Sequence, residues 1–165
     1  MSDSTAAGEL ATEVIRTLVL AGFTVATAES LTGGMVAAAL TDVPGSSNAF
    51  RGGVVAYATE LKAQLLGVDP VMLERHGPVY APVAAAMAEG VRNRLGATIG
   101  VATTGVAGPG PQDGHPAGTV HVAVSLSGDT VVRTMALQGN RDEVRRLTVE
   151  RVLGLTLGRL REEKT

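Results

Sequence analysis

Glu29, Ser30 and Thr32 sit in the segment T-A-E-S-L-T-G-G (27–34), directly after an apolar run. A serine hydroxyl at the end of a buried strand is a candidate nucleophile. The helix that follows opens on Gly33-Gly34, which leaves backbone N–H groups and the positive end of the helix dipole free to receive a carbonyl oxygen or a phosphate. Ser30 and Thr32 at such a place also serve as helix caps, and the segment alone leaves both readings open.

A second cluster holds Tyr57, Thr59 and Lys62. For a lysine to act as a base near neutral pH, its pKa must fall by roughly three units from about 10.4, at a cost of about 4 kcal/mol, through desolvation or a nearby cation. A lysine so tuned can activate a serine against an amide without histidine. Tyr57 would then relay the proton or orient the pair. Left in water, Lys62 is an inert surface charge, and Tyr57 equally fits a ring at the core's edge with a satisfied hydroxyl. The third cluster is Thr103-Thr104-Gly105, running into Val106-Ala107-Gly108-Pro109-Gly110. Its N–H groups suit a phosphate cradle or an oxyanion hole. It is neither a P-loop nor a G-x-G-x-x-G fingerprint. The fourth is Asn140-Arg141 with Arg145, where two arginines four residues apart would clamp a phosphate or pair with neighbours such as Asp142. His76, His115 and His121 lack ligand spacing, so no metal and no cofactor is expected. His121 alternates with Val120 and Val122 and reads as solvent-facing. Neither a G-x-S-x-G elbow nor an S-x-x-K motif occurs, which disfavours a Ser-His-Asp enzyme.

Strands and helices must alternate to hold these clusters. Apolar spacing predicts a first helix over 9–21, stopped by Gly22, after a flexible tail at 1–8. A strand over 23–27, a short alanine-rich helix over 34–40 and a loop over 42–47 follow. Then come a strand over 53–57, a helix over 60–66, a helix over 82–95 opened by proline, and a strand over 97–103 apolar enough to be covered on both faces. The glycine- and proline-rich loop 105–118 is long for a compact domain, and such loops tend to be functional. Strands over 119–127 and 130–137 form a hairpin, and Asn140 with Glu143 predicts a capped last helix. The pattern gives a single domain over 9–165, a three-layer α/β/α sandwich on a mixed, mostly parallel sheet with one antiparallel hairpin. In such sheets the C-terminal ends of the strands form the ligand crevice, and three of the four clusters lie there.

Composition removes several functions. With 165 residues, 45% hydrophobic and 18% charged, the chain can bury a real core. Phe23, Phe50, Tyr57 and Tyr80 are its only aromatics and the net charge is −2, so it offers neither stacking platforms nor a basic footprint for nucleic acid. Cysteine is absent, which excludes disulfides and thiolate chemistry. No signal peptide or membrane-length apolar run is visible, so a cytoplasmic location without membrane contact is expected.

The motifs together resemble the CinA C-terminal domain family, whose characterised members deamidate nicotinamide mononucleotide. The resemblance rests on T-A-E-S-L-T-G-G (27–34), L-T-D-V-P-G-S-S (40–47), G-G-V-V-A-Y (52–57), L-K-A-Q-L-L-G-V (61–68), T-T-G-V-A-G-P (103–109), G-T-V (118–120) and G-N-R-D-E-V-R (139–145). It spans nearly the whole chain, and longer members carry a further N-terminal domain, so it implies a stand-alone form. It implies metal-independent hydrolysis of that carboxamide to nicotinate mononucleotide and ammonia, in pyridine-nucleotide salvage, by a homodimer or larger homo-oligomer. Ser30 would be the nucleophile, with Lys62 and Tyr57 as the activating group. Thr104, Gly105, Ala107 and Gly108 would hold the substrate and the oxyanion. Arg141 and Arg145 would lie at the phosphate, and Glu29, Thr32 and Gly33 would shape the pocket. Two positions depart from the family pattern: Thr59 replaces the asparagine of Tyr-Ser-Asn-Glu, and Tyr80 replaces the serine of Gly-Ala-Val-Ser. A nucleotide-binding or regulatory protein of the competence/damage-inducible type, without turnover, is the competing expectation.

Overall fold

The computed structural model describes residues 5–164. Five strands make one sheet: β1 (Val25–Glu29), β2 (Phe50–Val55), β3 (Ile99–Gly105), β4 (Thr119–Leu126) and β5 (Asp129–Ala136), in the order β2-β1-β3-β4-β5. β1 pairs in parallel with both β2 and β3, whereas β4 is antiparallel to β3 and to β5. Only β4 therefore runs against the rest, as the predicted mixed, mostly parallel sheet requires.

Six helices cover the two faces: α1 (Ala6–Ala21), α2 (Met35–Thr41), α3 (Thr59–Leu66), α4 (Pro70–His76), α5 (Ala81–Leu95) and α6 (Arg141–Glu162). On one face α1, α2 and α6 bury Val25, Ile99, Val101, Val122 and Val124 of the sheet. On the other, α3, α4 and α5 meet Ala26, Ala28, Ala102 and Ala123. Small residues let the second layer come close. A Cβ on Gly100 of β3 would overlap the Ala88 carbonyl of α5, and one on Gly90 of α5 would overlap the Leu66 carbonyl of α3. The two faces thus settle at different depths, one spaced by branched side chains and the other by backbone.

Several boundaries differ from expectation for local reasons. α1 begins at Ala6, where the Thr5 hydroxyl oxygen accepts from the Gly8 N–H at 3.1 Å, so residues 6–8 of the predicted tail are helical; residues 1–4 lie outside the described residues. Phe23 closes the end of α1, with its N–H on the Leu18 carbonyl at 2.9 Å, and β1 starts only at Val25. β2 begins at Phe50, because Gly52 and Gly53 continue the strand rather than break it. A Cβ on Gly53 would overlap Thr27 Oγ1 of the neighbouring strand. α4 was not predicted, although Asp69 accepts from the Val71 N–H at 2.9 Å and Pro70 occupies the first turn. The last helix matches its prediction: the Glu143 N–H donates to Asn140 Oδ1 at 2.9 Å and the Asn140 N–H to Glu143 Oε2 at 2.7 Å. Among the described residues, no helix is long and apolar enough to cross a membrane.

Candidate active site

Ser30 is the first residue past β1, where the chain leaves the sheet. Its N–H donates to the Thr103 carbonyl of β3 at 3.1 Å, which fixes it at the C-terminal ends of two parallel strands. Lys62 arrives from the start of α3, and its Nζ donates to Ser30 Oγ at 3.0 Å and to the Ala56 carbonyl at 2.7 Å. Lys62 is 1% exposed and Ser30 9%. None of the ion pairs among the described residues includes the lysine. Burial lowers its pKa from 10.5 to about 8, against a weaker opposing pull from Glu60. About a tenth of the amine is then neutral at pH 7. A neutral amine keeps an N–H for Ala56 and turns a lone pair to the serine proton, the geometry of a Ser–Lys activating pair.

Glu29, Thr32, Gly33 and Arg145 do not line the cavity around this pair; they build the turn that carries it. The Glu29 carboxylate accepts from the Thr32 hydroxyl at 2.6 Å and from the N–H groups of Val36 and Ala37 at 2.8 and 3.0 Å. The cap of α2 therefore comes from the strand, since Gly34 at its N-cap has no side chain to offer. Thr32 Oγ1 also lies 2.8 Å from Thr103 Oγ1. Neither Ser30 nor Thr32 caps the helix, which leaves the serine hydroxyl to Lys62. Arg145 donates to the Leu31 carbonyl at 2.9 Å and to that of Thr32 at 3.4 Å, so it grips the turn rather than lining the cavity. Asp142 pairs with Arg146, at 3.0 Å, and with neither predicted arginine.

The cavity itself measures about 60 Å³ and carries no carboxylate. That is room for one functional group rather than a nucleotide. A larger depression of about 410 Å³ beside Glu143 and Glu150 contains no nucleophile. Tyr57 and Arg141 stand at the cavity's rim. Tyr57 is 59% exposed, and its hydroxyl accepts from Arg141 Nη2 at 3.1 Å. No hydrogen bond among the described residues joins it to Ser30 or Lys62. Arg141 Nη1 also donates to the Gly108 carbonyl at 2.8 Å, tying the glycine loop to the rim. Thr104 gives its proton to the Pro78 carbonyl at 2.8 Å, which fastens β3 to the connection before α5. Tyr80 stays outside the cavity and stacks on His76, with ring centroids 4.1 Å apart.

Ala107 lines the cavity as the resemblance implies, and two wall residues, Leu31 and Gln112, lie outside the sequence reading. Leu31 and Ala107 line the cavity, and their N–H groups donate to no acceptor among the described residues, which makes them candidate oxyanion donors. The position after the nucleophile was the signal for Leu31. Gln112 is the other residue of this kind on the cavity wall. His121 corrects an expectation: it is 7% exposed, with Nδ1 2.8 Å from Thr134 Oγ1, and burial holds its pKa below the usual histidine value. Among the described residues, no three His, Asp or Glu side chains converge on a possible metal position.

Comparison with known proteins places this site in context. The model of the CinA C-terminal domain matches residues 7–160. A CinA-like protein of Frankia casuarinae is 54% identical over 142 residues, 86% of this chain and 33% of that protein. One of Gemmatimonas aurantiaca is 47% identical over 154 residues, 93% of this chain and 35% of that protein. The chain thus spans about a third of the length of these relatives. Among solved structures, a competence-damaged protein (CinA) superfamily protein of Klebsiella pneumoniae superposes with a TM-score of 0.91 at 34% identity, covering 94% of this chain and 98% of that one. A competence/damage inducible protein of Agrobacterium tumefaciens gives 0.90 at 36%, covering 93% and 95%.

Proposed function

Because the chain belongs to the CinA C-terminal domain family, we propose that it is an amidohydrolase that converts the carboxamide of nicotinamide mononucleotide to a carboxylate with release of ammonia. One observation carries this reading: a buried serine lies 3.0 Å from a buried, ion-pair-free lysine whose pKa is lowered to about 8. Lys62 takes the Ser30 proton and Oγ attacks the carboxamide carbon. The tetrahedral oxyanion turns to the N–H groups of Leu31 and Ala107. The Lys62 ammonium then protonates the departing nitrogen, the C–N bond breaks, and ammonia leaves an acyl ester on Ser30. Water, deprotonated by the same lysine, resolves the ester to nicotinate mononucleotide and free serine. Arg141 and Tyr57 meet the phosphoribosyl end at the rim.

The test is ammonia and nicotinate mononucleotide formation from nicotinamide mononucleotide, in EDTA, by the wild type and Ser30→Ala. Turnover lost in the variant supports the reading. Substrate that raises the melting temperature of the wild type without ammonia release supports a nucleotide-binding protein. Mass spectrometry for an acyl-Ser30 adduct separates the covalent route from attack by a water held between Ser30 and Lys62.

A further inference from the structure

Most polar side chains of the cavity are already engaged. Ser30 and Lys62 bond to each other, Tyr57 accepts from Arg141, Thr104 donates to Pro78, and Arg141 donates twice. Gln112 differs. Its side-chain amide, which carries both donors and an acceptor, has no hydrogen-bond partner among the described residues, yet it lines the same cavity. Its backbone is held firmly. Gln112 and His115 exchange two backbone hydrogen bonds of 3.0 and 2.9 Å around Asp113 (φ 50°) and Gly114 (φ 79°), a tight two-residue turn. Pro111 and Pro116 flank it, and the Asp113 side chain lies 3.8 Å from where a Cβ on Gly77 would stand. The fixed backbone turn leaves only the side-chain rotamers of Gln112 to be ordered when its amide finds a ligand.

We propose that Gln112 is a specificity-determining residue that reads the substrate's intact carboxamide and discriminates against the carboxylate product. This rests on the amidohydrolase reading of the site. Two primary amides can pair through two complementary hydrogen bonds, N–H to C=O in each direction. A carboxylate offers acceptors only, so the Gln112 carbonyl would face a negatively charged oxygen with no proton between them. Gln112 is exposed in the free protein, so the mismatch counts only once a bound ligand covers the amide, where an unpaired polar group is costly. The discrimination has a use here. Lys62 and Arg141 are cationic and would otherwise retain an anionic product, whereas Gln112 favours the neutral amide and helps the acid leave. Phosphate recognition does not need it, since phosphate takes donors alone and Arg141 already stands at the rim.

Calorimetric titration of nicotinamide mononucleotide and nicotinate mononucleotide into Ser30→Ala, with and without Gln112→Ala, decides the matter in the absence of turnover. The expected result is a preference for the amide that falls about tenfold on removal of Gln112, mostly through weaker amide binding. In the otherwise wild-type enzyme, Gln112→Ala should raise KM about tenfold, with the smaller change in kcat, and deepen product inhibition; Gln112→Asn should recover part of the loss. Equal weakening of both ligands, or an unchanged ratio between them, overturns the proposal. A wild type that releases no ammonia yet shows the Gln112-dependent ratio overturns the amidohydrolase reading and leaves the amide-reading role standing. Failure of both ligands to bind overturns both.

Discussion

Two charged side chains are buried on opposite sides of the Ser30 turn, and the fold treats them in contrary ways. On the α2 side, Glu29 receives three hydrogen bonds, two of them from the first N–H groups of a helix. That charge is fully solvated by protein and holds the turn's shape. On the α3 side, Lys62 has only a serine oxygen and one carbonyl. Its charge is poorly solvated, so losing the proton is easy. The lesson concerns what surrounds a buried ion: full satisfaction makes a scaffold, and partial satisfaction makes a base.

The sharpest way to break the contrast is Lys62→Met. Turnover should fall about 10³-fold, the scale of a lost general base, measured as ammonia release at saturating substrate. The same variant should be more stable than the wild type at pH 7. The sign follows from linkage: Lys62 has a folded pKa of about 8 against 10.5 when unfolded, so it destabilises the fold by about 3 kcal/mol below pH 8, and the penalty is relieved as pH rises to 10.5. Melting curves of the two proteins should therefore converge over that window, and a constant gap would refute the assignment. Glu29→Gln tests the other side. It puts an NH₂ against helix N–H donors and should lower stability by about 3 kcal/mol, read from the urea midpoint. Wild-type kcat/KM should rise nearly tenfold per pH unit and level off above about pH 8, as the lysine becomes neutral. Arg141→Ala, at the exposed rim, should raise KM by about tenfold with less effect on kcat. Tyr57→Phe should be the mildest, at about threefold, because its hydroxyl touches Arg141 and not the reacting pair.

The same division explains what could be read beforehand. Ser30 and Lys62 were legible because residue type and position after a strand carry their chemistry. Glu29 and Arg145 were placed in the pocket because their types suit a pocket. Their true partners, the start of α2 and the carbonyls of Leu31 and Thr32, depend on long-range packing that spacing does not encode. α4 was overlooked because it is seven residues long and buries only Leu73 fully, although Asp69 and Pro70 announce it. Gln112 gave no signal at all. A glutamine in a glycine- and proline-rich loop becomes conspicuous only when the fold brings that loop to the wall of the cavity.

The close approach of α5 also has a meaning for how the site keeps its dimensions. From β3 through Gly100 to Ala88, and from Gly90 to Leu66, backbone packs closely on backbone. Ser30 hangs from the β3 end of that stack, and Lys62 rides on the helix at the other. The 3.0 Å between them is thus the closing gap in a train of rigid spacers, much as a gauge block sets a machine tool. A methyl group inserted at Gly90 would act like a shim. It would touch neither Ser30 nor Lys62, yet it would push on the helix that carries Lys62.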